Sequence, residues 1–226
     1  MNKKYLCGMK WQLIIFDLDG TLINTIEDLG IAVNHALADH SFPQHEISEY
    51  KGMVGHGVRN LVWRSMPEAL KDDEHLLDVL LADFMDYYYR HIDEHSRPYD
   101  GMPELLSELQ ADGVRLAVAS NKFQSGTDAL MRRFFPDIHF ASVLGGRKGV
   151  PLKPDPAVVG TILEAAGVSQ AETVMVGDSA TDIATAAAGK VESIAVTWGF
   201  RPKEAIQGAG SVVDTVQQLR GKLLGE

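Results

Sequence analysis

Short continuous apolar runs alternate along this chain with longer segments in which apolar residues recur at helical spacing. The first run, Leu13–Phe16, is apolar at every position, which predicts a short strand buried on both faces. Later runs predict further strands at Val114–Ala119, Phe140–Leu144, Thr173–Val176 and Ser193–Thr197, and a short strand or turn plus a helix within Val212–Leu224. Because helical patterns lie between these strands, we expect an α/β fold with a doubly wound, mostly parallel sheet.

A long helical segment separates the first strand from the second. Its apolar spacing predicts one helix over residues 26–37, with Asn24 or Thr25 available as N-cap, and another over residues 73–90. No convincing strand pattern interrupts this segment before residue 95.

Between these two helices, Gly52–Arg59 contains three glycines within six positions. This composition predicts a flexible loop that leads into a helix. An insertion made of helices and loops differs from an ordinary crossover between neighbouring strands. We therefore expect two domains: a Rossmann-like core over residues 1–22 and 97–226, and an inserted α-helical cap over residues 23–96.

Charge and composition exclude several classes of protein. The net charge is −10 over 226 residues, so we expect no nucleic-acid partner. No apolar run approaches the roughly 20 residues that cross a bilayer, and Met1–Gln12 lacks the apolar stretch of a signal peptide. The single cysteine, Cys7, cannot form an internal disulfide and agrees with a reducing compartment. We expect a cytoplasmic protein without membrane contact, and its oligomeric state stays open.

Two acidic residues follow directly after the first strand. Asp17 and Asp19 precede Gly20, so a parallel sheet would place both carboxylates at its carboxyl edge, where α/β proteins build their sites. Two carboxylates this close repel each other unless a cation or a shared proton intervenes. Taken alone, the pair fits an acidic surface turn as well as it fits a site.

Two later segments also bring polar residues to this edge. Ser120 and Asn121 follow the second strand and could hold phosphate oxygens, although Ser-Asn is also common in turns. Lys153 lies just before a helix predicted over residues 154–166, where its charge opposes the helix dipole. A phosphate group between Lys153 and the sheet edge would relieve that unfavourable placement.

The fourth strand leads into another acidic pair, Asp178 and Asp182. With a helix starting near Ser179, both carboxylates can face the crevice at the strand ends. A helix N-cap and a favourable first-turn acid would explain the same two residues. Clustered oxygen ligands of this kind suit a hard cation such as Mg²⁺.

Four motifs in this order resemble those of the haloacid dehalogenase-like hydrolase superfamily. They are DLDGTL at Asp17–Leu22 after an apolar strand, Ser120-Asn121, LKPDP at Leu152–Pro156, and GDSATD at Gly177–Asp182. The resemblance extends from Leu13 to about Leu219 and implies a phosphatase with a Rossmann-like core and a small helical cap.

The resemblance also implies a role for each residue of these motifs. Asp17 would be the nucleophile that forms an aspartyl-phosphate, and Asp19 would protonate the leaving oxygen and then activate water. The Mg²⁺ ligands would be Asp17, Asp19 through its backbone carbonyl, Asp178 and Asp182, the last directly or through water. The phosphate-binding residues would be Ser120, Asn121 and Lys153.

Within the superfamily, three segments resemble the phosphoglycolate phosphatase group: Ala119–Lys122, Gly145-Gly146 and Val196–Phe200. The resemblance implies a small phosphorylated metabolite as substrate. The loop after Gly146 is basic, with Arg147 and Lys148, which leaves the identity of that substrate open.

Substrate choice is expected to lie in the cap, because the core residues named above handle only the phosphoryl group and the metal. His56 and Arg59 offer hydrogen-bond donors there, and an arginine is suited to a carboxylate. A solvated Arg59 in the first turn of a helix is an equally reasonable expectation.

Three other functions are compatible with the same fold. A dehalogenase is disfavoured by Asp19, because displacing a halide needs no general acid. A phosphosugar mutase would share every core residue and would need a bisphosphate activator. A non-catalytic interaction module is disfavoured because clustered like charges are costly to retain without use.

Overall fold

The computed structural model describes residues 10–225, so Cys7 and most of Met1–Gln12 lie outside the described residues. Its strands are β1 (Leu13–Phe16), β2 (Ile23–Asn24), β3 (Arg97–Pro98), β4 (Arg115–Phe123), β5 (Phe140–Gly146), β6 (Thr173–Gly177), β7 (Glu192–Val196) and β8 (Ser211–Val213). Its α-helices are α1 (Ile26–Asp39), α2 (Tyr50–Met53), α3 (Val58–Ser65), α4 (Glu74–His91), α5 (Met102–Ala111), α6 (Gln124–Phe134), α7 (Ala157–Ala166), α8 (Ala180–Ala188) and α9 (Val216–Leu224).

The central sheet has six strands in the order β5-β4-β1-β6-β7-β8. Every pairing in it is parallel. The chain leaves β1 and later returns to both of its sides, at β4 and at β6, so the crevice of the doubly wound sheet opens at the carboxyl end of β1. The predicted fold class is confirmed.

Strand β1 is buried on both faces, as its continuous apolar sequence predicted. Ile14 and Phe16 belong to one core cluster, which includes residues of α5 and α9. Leu13 and Ile15 belong to the other, which includes residues of α7 and α8. All four side chains are 0% exposed, because alternate residues of a strand point to opposite faces and helices cover both.

Helices α1 to α4 form an insertion between β2 and β3. These two short strands pair antiparallel, with Ile23 opposite Pro98, and join the two ends of the insertion. The buried carboxylate of Asp28 on α1 accepts hydrogen bonds from the backbone N–H groups of His95 and Ser96 at 2.9 and 2.7 Å. We call residues 25–96 the helical insertion.

Half of the segment predicted as a flexible loop, Gly52–Arg59, is helical. Its first two residues end α2 and its last two begin α3, which leaves residues 54–57 as the loop. Gly55 and Gly57 have φ angles of +104° and +83°, which residues with a side chain rarely adopt. These glycines mark a tight connection between two helices.

Two details at helix starts also differ from the predictions. Thr25 is the N-cap residue of α1, but its hydroxyl makes no capping bond and donates instead to Asp19 at 2.7 Å. Helix α7 begins at Ala157 rather than at Pro154, so Lys153 lies further from the start of the helix than predicted.

No helix within residues 10–225 combines the length and the apolar character that crossing a lipid bilayer requires.

Candidate active site

The motif residues meet at the carboxyl edge of the sheet. Asp17 follows β1, Ser120 and Asn121 lie near the carboxyl end of β4, and Asp178 follows β6. The register between β4 and β5 shifts between Ala119 and Phe123, the stretch that contains Ser120 and Asn121. Adjacent parallel strands thus bring together groups that are more than 100 positions apart in the chain.

Three buried carboxylates form the centre of the site. Asp17, Asp178 and Asp182 each contribute an oxygen, and these oxygens lie within 4.8 Å of one another. Lys153 reaches into the cluster, with its ammonium 2.7 Å from Asp17 Oδ1 and 2.6 Å from Asp182 Oδ1. One ammonium faces three carboxylates, so full ionisation of the cluster would leave an excess of negative charge.

Each carboxylate on the β6 side is oriented by the backbone. Ser179 is the N-cap of α8, and a capping box joins its side chain and backbone to Asp182, whose Oδ2 accepts from Ser179 Oγ at 2.6 Å. Asp178 Oδ2 accepts from the backbone N–H of Phe200 at 2.7 Å. Asp182 therefore serves as a helix-capping residue and as part of the site at once.

Burial and mutual repulsion shift the pKa values of the cluster. Burial raises the pKa of Asp17 well above its usual value, and Asp182 and Asp178 add to this effect against the charge of Lys153. Burial, followed by the charge of Asp182, raises the pKa of Asp178 to about 7. Burial alone would lower the pKa of Lys153, but Asp17 and Asp182 outweigh it and raise that pKa.

A divalent cation fits this cluster. The donor set consists of oxygens only, all three carboxylates are buried, and their spacing lets one ion contact them together. A bound cation would replace the protons that the raised pKa values of Asp17 and Asp178 otherwise retain. Asp17, Asp178 and Asp182 are three of the four metal ligands predicted from the sequence, and the carboxylate of Asp19, the fourth predicted residue, is not part of this cluster.

Asp19 lies beside the acidic cluster and has its own partners. Lys122 places its ammonium 3.1 and 3.3 Å from the two carboxylate oxygens of Asp19, and Thr25 donates to Oδ1. The Lys122 side chain is only 1% exposed and lies 4.8 Å from the ring centre of Tyr88, a residue of the helical insertion. Asp19 is thereby tied to the core and to the insertion.

Ser120 and Asn121 lie in the site but differ in what they can offer a phosphate. The hydroxyl of Ser120 accepts from the backbone N–H of Lys122 at 3.1 Å and keeps its own proton to donate. The amide nitrogen of Asn121 donates to the backbone oxygens of Gly55 and Lys153, and its oxygen accepts from Lys153 N–H at 2.8 Å. Both amide protons of Asn121 are used, so its side chain positions Lys153 rather than donating to a phosphate.

A cavity of about 50 Å³ lies between the site and the helical insertion. By the same measure one water needs about 10–15 Å³, so the cavity accepts a small ligand. Its core side holds the carboxylates, both lysines and Arg201. Its insertion side consists of apolar side chains and glycines: Leu29, Val54, Gly55, Gly57, Val58 and Leu61.

His56 and Arg59 do not line this cavity. Arg59 lies on the surface, where its guanidinium forms ion pairs with Glu74 and Asp78 of α4. His56 is exposed at the loop between α2 and α3, where burial first, and then the charges of Arg64 and Arg201, lower its pKa. Arg147 and Lys148 are exposed in the loop after β5.

Sequence reasoning missed three residues of the site: Thr25, Lys122 and Arg201. Lys122 directly follows the predicted Ser120-Asn121 pair, so its position in the chain was a usable signal. Thr25 was considered only as a helix cap, and Arg201 follows a strand end to which no role was given. Their side chains reach the site through tertiary packing, which local spacing does not encode.

Comparison with known proteins decides the family. A family model described as haloacid dehalogenase-like hydrolase matches residues 14–196. The chain belongs to this hydrolase family. All four motifs recognised in the sequence lie within the residues that the family model matches.

Several proteins similar to the chain are phosphoglycolate phosphatases. One from Mesorhizobium japonicum is 36% identical over 195 residues, which is 85% of each chain. One from Rhodospirillum rubrum is 34% identical over 218 residues, 94% of this chain and 90% of the relative. A crystal structure of a candidate phosphoglycolate phosphatase from Lactobacillus delbrueckii subsp. bulgaricus has a TM-score of 0.89 at 32% identity and covers 96% of this chain and 100% of that one.

The family and these relatives indicate a phosphoric monoester hydrolase. Phosphatases of this family generally use a divalent metal, and the buried acidic cluster is where such an ion fits. The substrate is correspondingly a small phosphorylated molecule.

Proposed function

We propose that this hydrolase cleaves 2-phosphoglycolate, or a phosphate ester of very similar size and charge, with Mg²⁺ and through an aspartyl-phosphate. The observation that carries the proposal is the small cavity that joins Asp17, Asp19 and Lys153. The similarity to phosphoglycolate phosphatases over most of the chain supports the choice of substrate.

In the first step, an oxygen of Asp17 attacks phosphorus and the bond from phosphorus to the ester oxygen breaks. Lys153, 2.7 Å from Asp17, is placed to neutralise charge on the phosphoryl oxygens, and the Ser120 hydroxyl can donate to another of them. Asp19 gives its proton to the departing alkoxide, which leaves as glycolate. The products of this step are the aspartyl-phosphate at Asp17 and a free hydroxy acid.

In the second step, water attacks the phosphorus of the aspartyl-phosphate. Asp19 accepts a proton from that water, the bond from Asp17 to phosphorus breaks, and inorganic phosphate forms. Both steps need Asp19 to stay in one place while its protonation changes, and Lys122 and Thr25 provide that fixation.

Mg²⁺ would be held by Asp17, the backbone carbonyl of Asp19, Asp178 and Asp182. When bound, it supplies positive charge against the phosphoryl oxygens and offsets repulsion between the nucleophile and the dianionic ester. Oxygen ligands alone favour a hard ion of this kind. The helical insertion covers the cavity with apolar groups, which excludes water from the first step.

The proposal is tested by phosphate release from a panel of small phosphomonoesters, with Mg²⁺ and with EDTA. We expect the highest kcat/KM for 2-phosphoglycolate and no turnover without a divalent ion. Turnover that required a bisphosphate activator, or silence across the whole panel, would contradict it.

A further inference from the structure

The charges that line the cavity are unevenly partnered. Lys122 is paired with Asp19, and Lys153 with Asp17 and Asp182. Among residues 10–225, Arg201 is the remaining cation of the lining, and its guanidinium donates to the backbone oxygens of Lys51 and Val54. Carbonyl oxygens carry no net charge, so the positive charge of Arg201 is not balanced by a carboxylate hydrogen bond among the described residues.

The helical insertion supplies no charged side chain to the cavity lining within the described part of the chain. A substrate's second anionic group must therefore find its counter-charge on the core side. On that side both lysines are committed to carboxylates, which leaves Arg201.

We infer that Arg201 is the specificity residue of this site and binds the carboxylate of the substrate, an inference that rests on the proposed function. The residue lies in the loop after β7, directly after Phe200, whose backbone N–H orients Asp178. The same loop thus serves the acidic cluster and the carboxylate, and it holds the two ends of a short substrate at a fixed separation.

The guanidinium has the donors that this role requires. Of its five N–H groups, one on each terminal nitrogen is used for Lys51 and Val54, and the other three have no hydrogen-bond acceptor among the described residues. A planar fork of donors matches a carboxylate better than an ammonium does.

Arg201 also joins the core to the helical insertion, so its two roles must be separated. Glutamine at position 201 can donate to a backbone oxygen but carries no charge, whereas lysine keeps the charge and loses the fork. Arg64 provides a matched control, because it too donates to a backbone oxygen of the insertion, that of Gly52 at 2.9 Å, and it does not line the cavity.

The experiment compares 2-phosphoglycolate with ethyl phosphate, which has a methyl group in place of the carboxylate. For Arg201→Gln we expect kcat/KM for 2-phosphoglycolate to fall roughly 10- to 100-fold, mainly through KM, the range for a lost hydrogen bond to a charged group. Ethyl phosphate hydrolysis should change less than about threefold, as should inhibition by inorganic phosphate. Arg201→Lys should lower kcat/KM for 2-phosphoglycolate by a smaller factor and leave that for ethyl phosphate unchanged. Arg64→Gln should change kcat/KM for neither substrate.

Equal losses on both substrates would overturn the inference and leave Arg201 as a structural link, with the proposed function intact. A parent enzyme that hydrolyses ethyl phosphate but shows no preference for 2-phosphoglycolate would instead overturn the proposed function. Should Arg201→Gln fail to fold, Arg201→Lys decides the question by the same ratio of the two substrates.

Discussion

Lys122 contacts both carboxylate oxygens of Asp19, at 3.1 and 3.3 Å, from a position almost closed to solvent. A buried ammonium that spans a carboxylate in this way fixes its orientation, because turning the carboxylate would give up one of the two contacts. The geometry gives Lys122 a positioning role for the proposed acid and base, although it need not touch the substrate.

Replacing Lys122 by methionine should lower kcat about 10- to 100-fold for alkyl phosphates. Methionine keeps most of the side-chain volume but removes the charge that holds Asp19, and general acid–base catalysis is worth about 10²- to 10⁴-fold in total. The loss should be smaller for an aryl phosphate, whose leaving oxygen needs little protonation. Steady-state kinetics on ethyl and 4-nitrophenyl phosphate measure this difference.

Asp19→Asn serves as the reference for that experiment. It too should lower kcat more for the alkyl phosphate than for the aryl phosphate, and the difference between the two losses should be larger than in Lys122→Met. If Lys122→Met slowed both classes of ester equally, the lysine would act on the phosphoryl group or on folding, and the positioning role would be lost.

Asp17→Asn should abolish turnover and leave the fold intact. An amide cannot form the aspartyl-phosphate. The substitution also removes one of three crowded carboxylates, the one at Asp17, whose pKa is raised by its burial and by the other two. Circular dichroism and thermal unfolding of the metal-free protein check the fold, and we expect a Tm no lower than that of the parent. Residual activity near the parent level in a preparation free of other phosphatases would refute the nucleophile.

The metal-free protein should lose stability as pH rises from about 4 to about 7. The pKa of Asp178 is raised from 3.8 to about 7 in the folded state, so the folded state keeps a proton that the unfolded state has already released. The stabilisation is complete below pH 4 and is lost as pH rises through 7; a shift of this size corresponds to about 4 kcal/mol. Urea unfolding in EDTA at several pH values measures the slope.

Two controls isolate the acidic cluster in that experiment. Asp178→Asn should reduce the slope without abolishing it, because one of the two carboxyl groups with a raised pKa is gone and Asp17 remains. Mg²⁺ at pH 7 should raise the Tm of the parent and raise that of Asp178→Asn much less, since the ion replaces the retained proton. A slope unchanged in Asp178→Asn would place the titration elsewhere in the chain.

Asn121→Ala should lower kcat/KM about 10- to 100-fold for all substrates alike. The amide of Asn121 makes two bonds to the backbone of Lys153, so its loss loosens the cation that faces the phosphoryl group common to every ester. It should also cost about 1–3 kcal/mol in unfolding free energy, because buried backbone groups lose their partners. A loss confined to 2-phosphoglycolate would instead mean that Asn121 contacts the carboxylate.

The elements and the acidic cluster could be predicted from the sequence because their signals are local. Apolar runs ending in polar residues marked β1, β4 and β6, and parallel pairing brings such ends together without further information. The helix start at Ala157 and the short loop at residues 54–57 could not be read in this way. Their backbone is set by contacts from other parts of the chain, such as Asn121 with Gly55 and Lys153.

Substrate-facing residues were the least predictable part of the site. The position of Arg59 in the insertion suggested a carboxylate ligand, yet two acids on α4, both more than ten residues away in sequence, hold its guanidinium at the surface. Arg201 had no motif to mark it, and only the arrangement of the loop after β7 against α2 brings it to the cavity. Which of two arginines reaches a cavity is decided by tertiary packing.

Among the described residues, the insertion lines the cavity with apolar side chains and glycines alone. If Arg201 binds the substrate carboxylate as inferred, the polypeptide segment that covers the substrate differs from the one that distinguishes between substrates. A chimera that carries a relative's insertion on this core should retain the ranking of substrates while its overall rate changes. Over evolutionary time, the insertion is then free to diverge in sequence as long as it stays apolar where it meets the ligand, and new substrate preferences would arise first in the loop after β7.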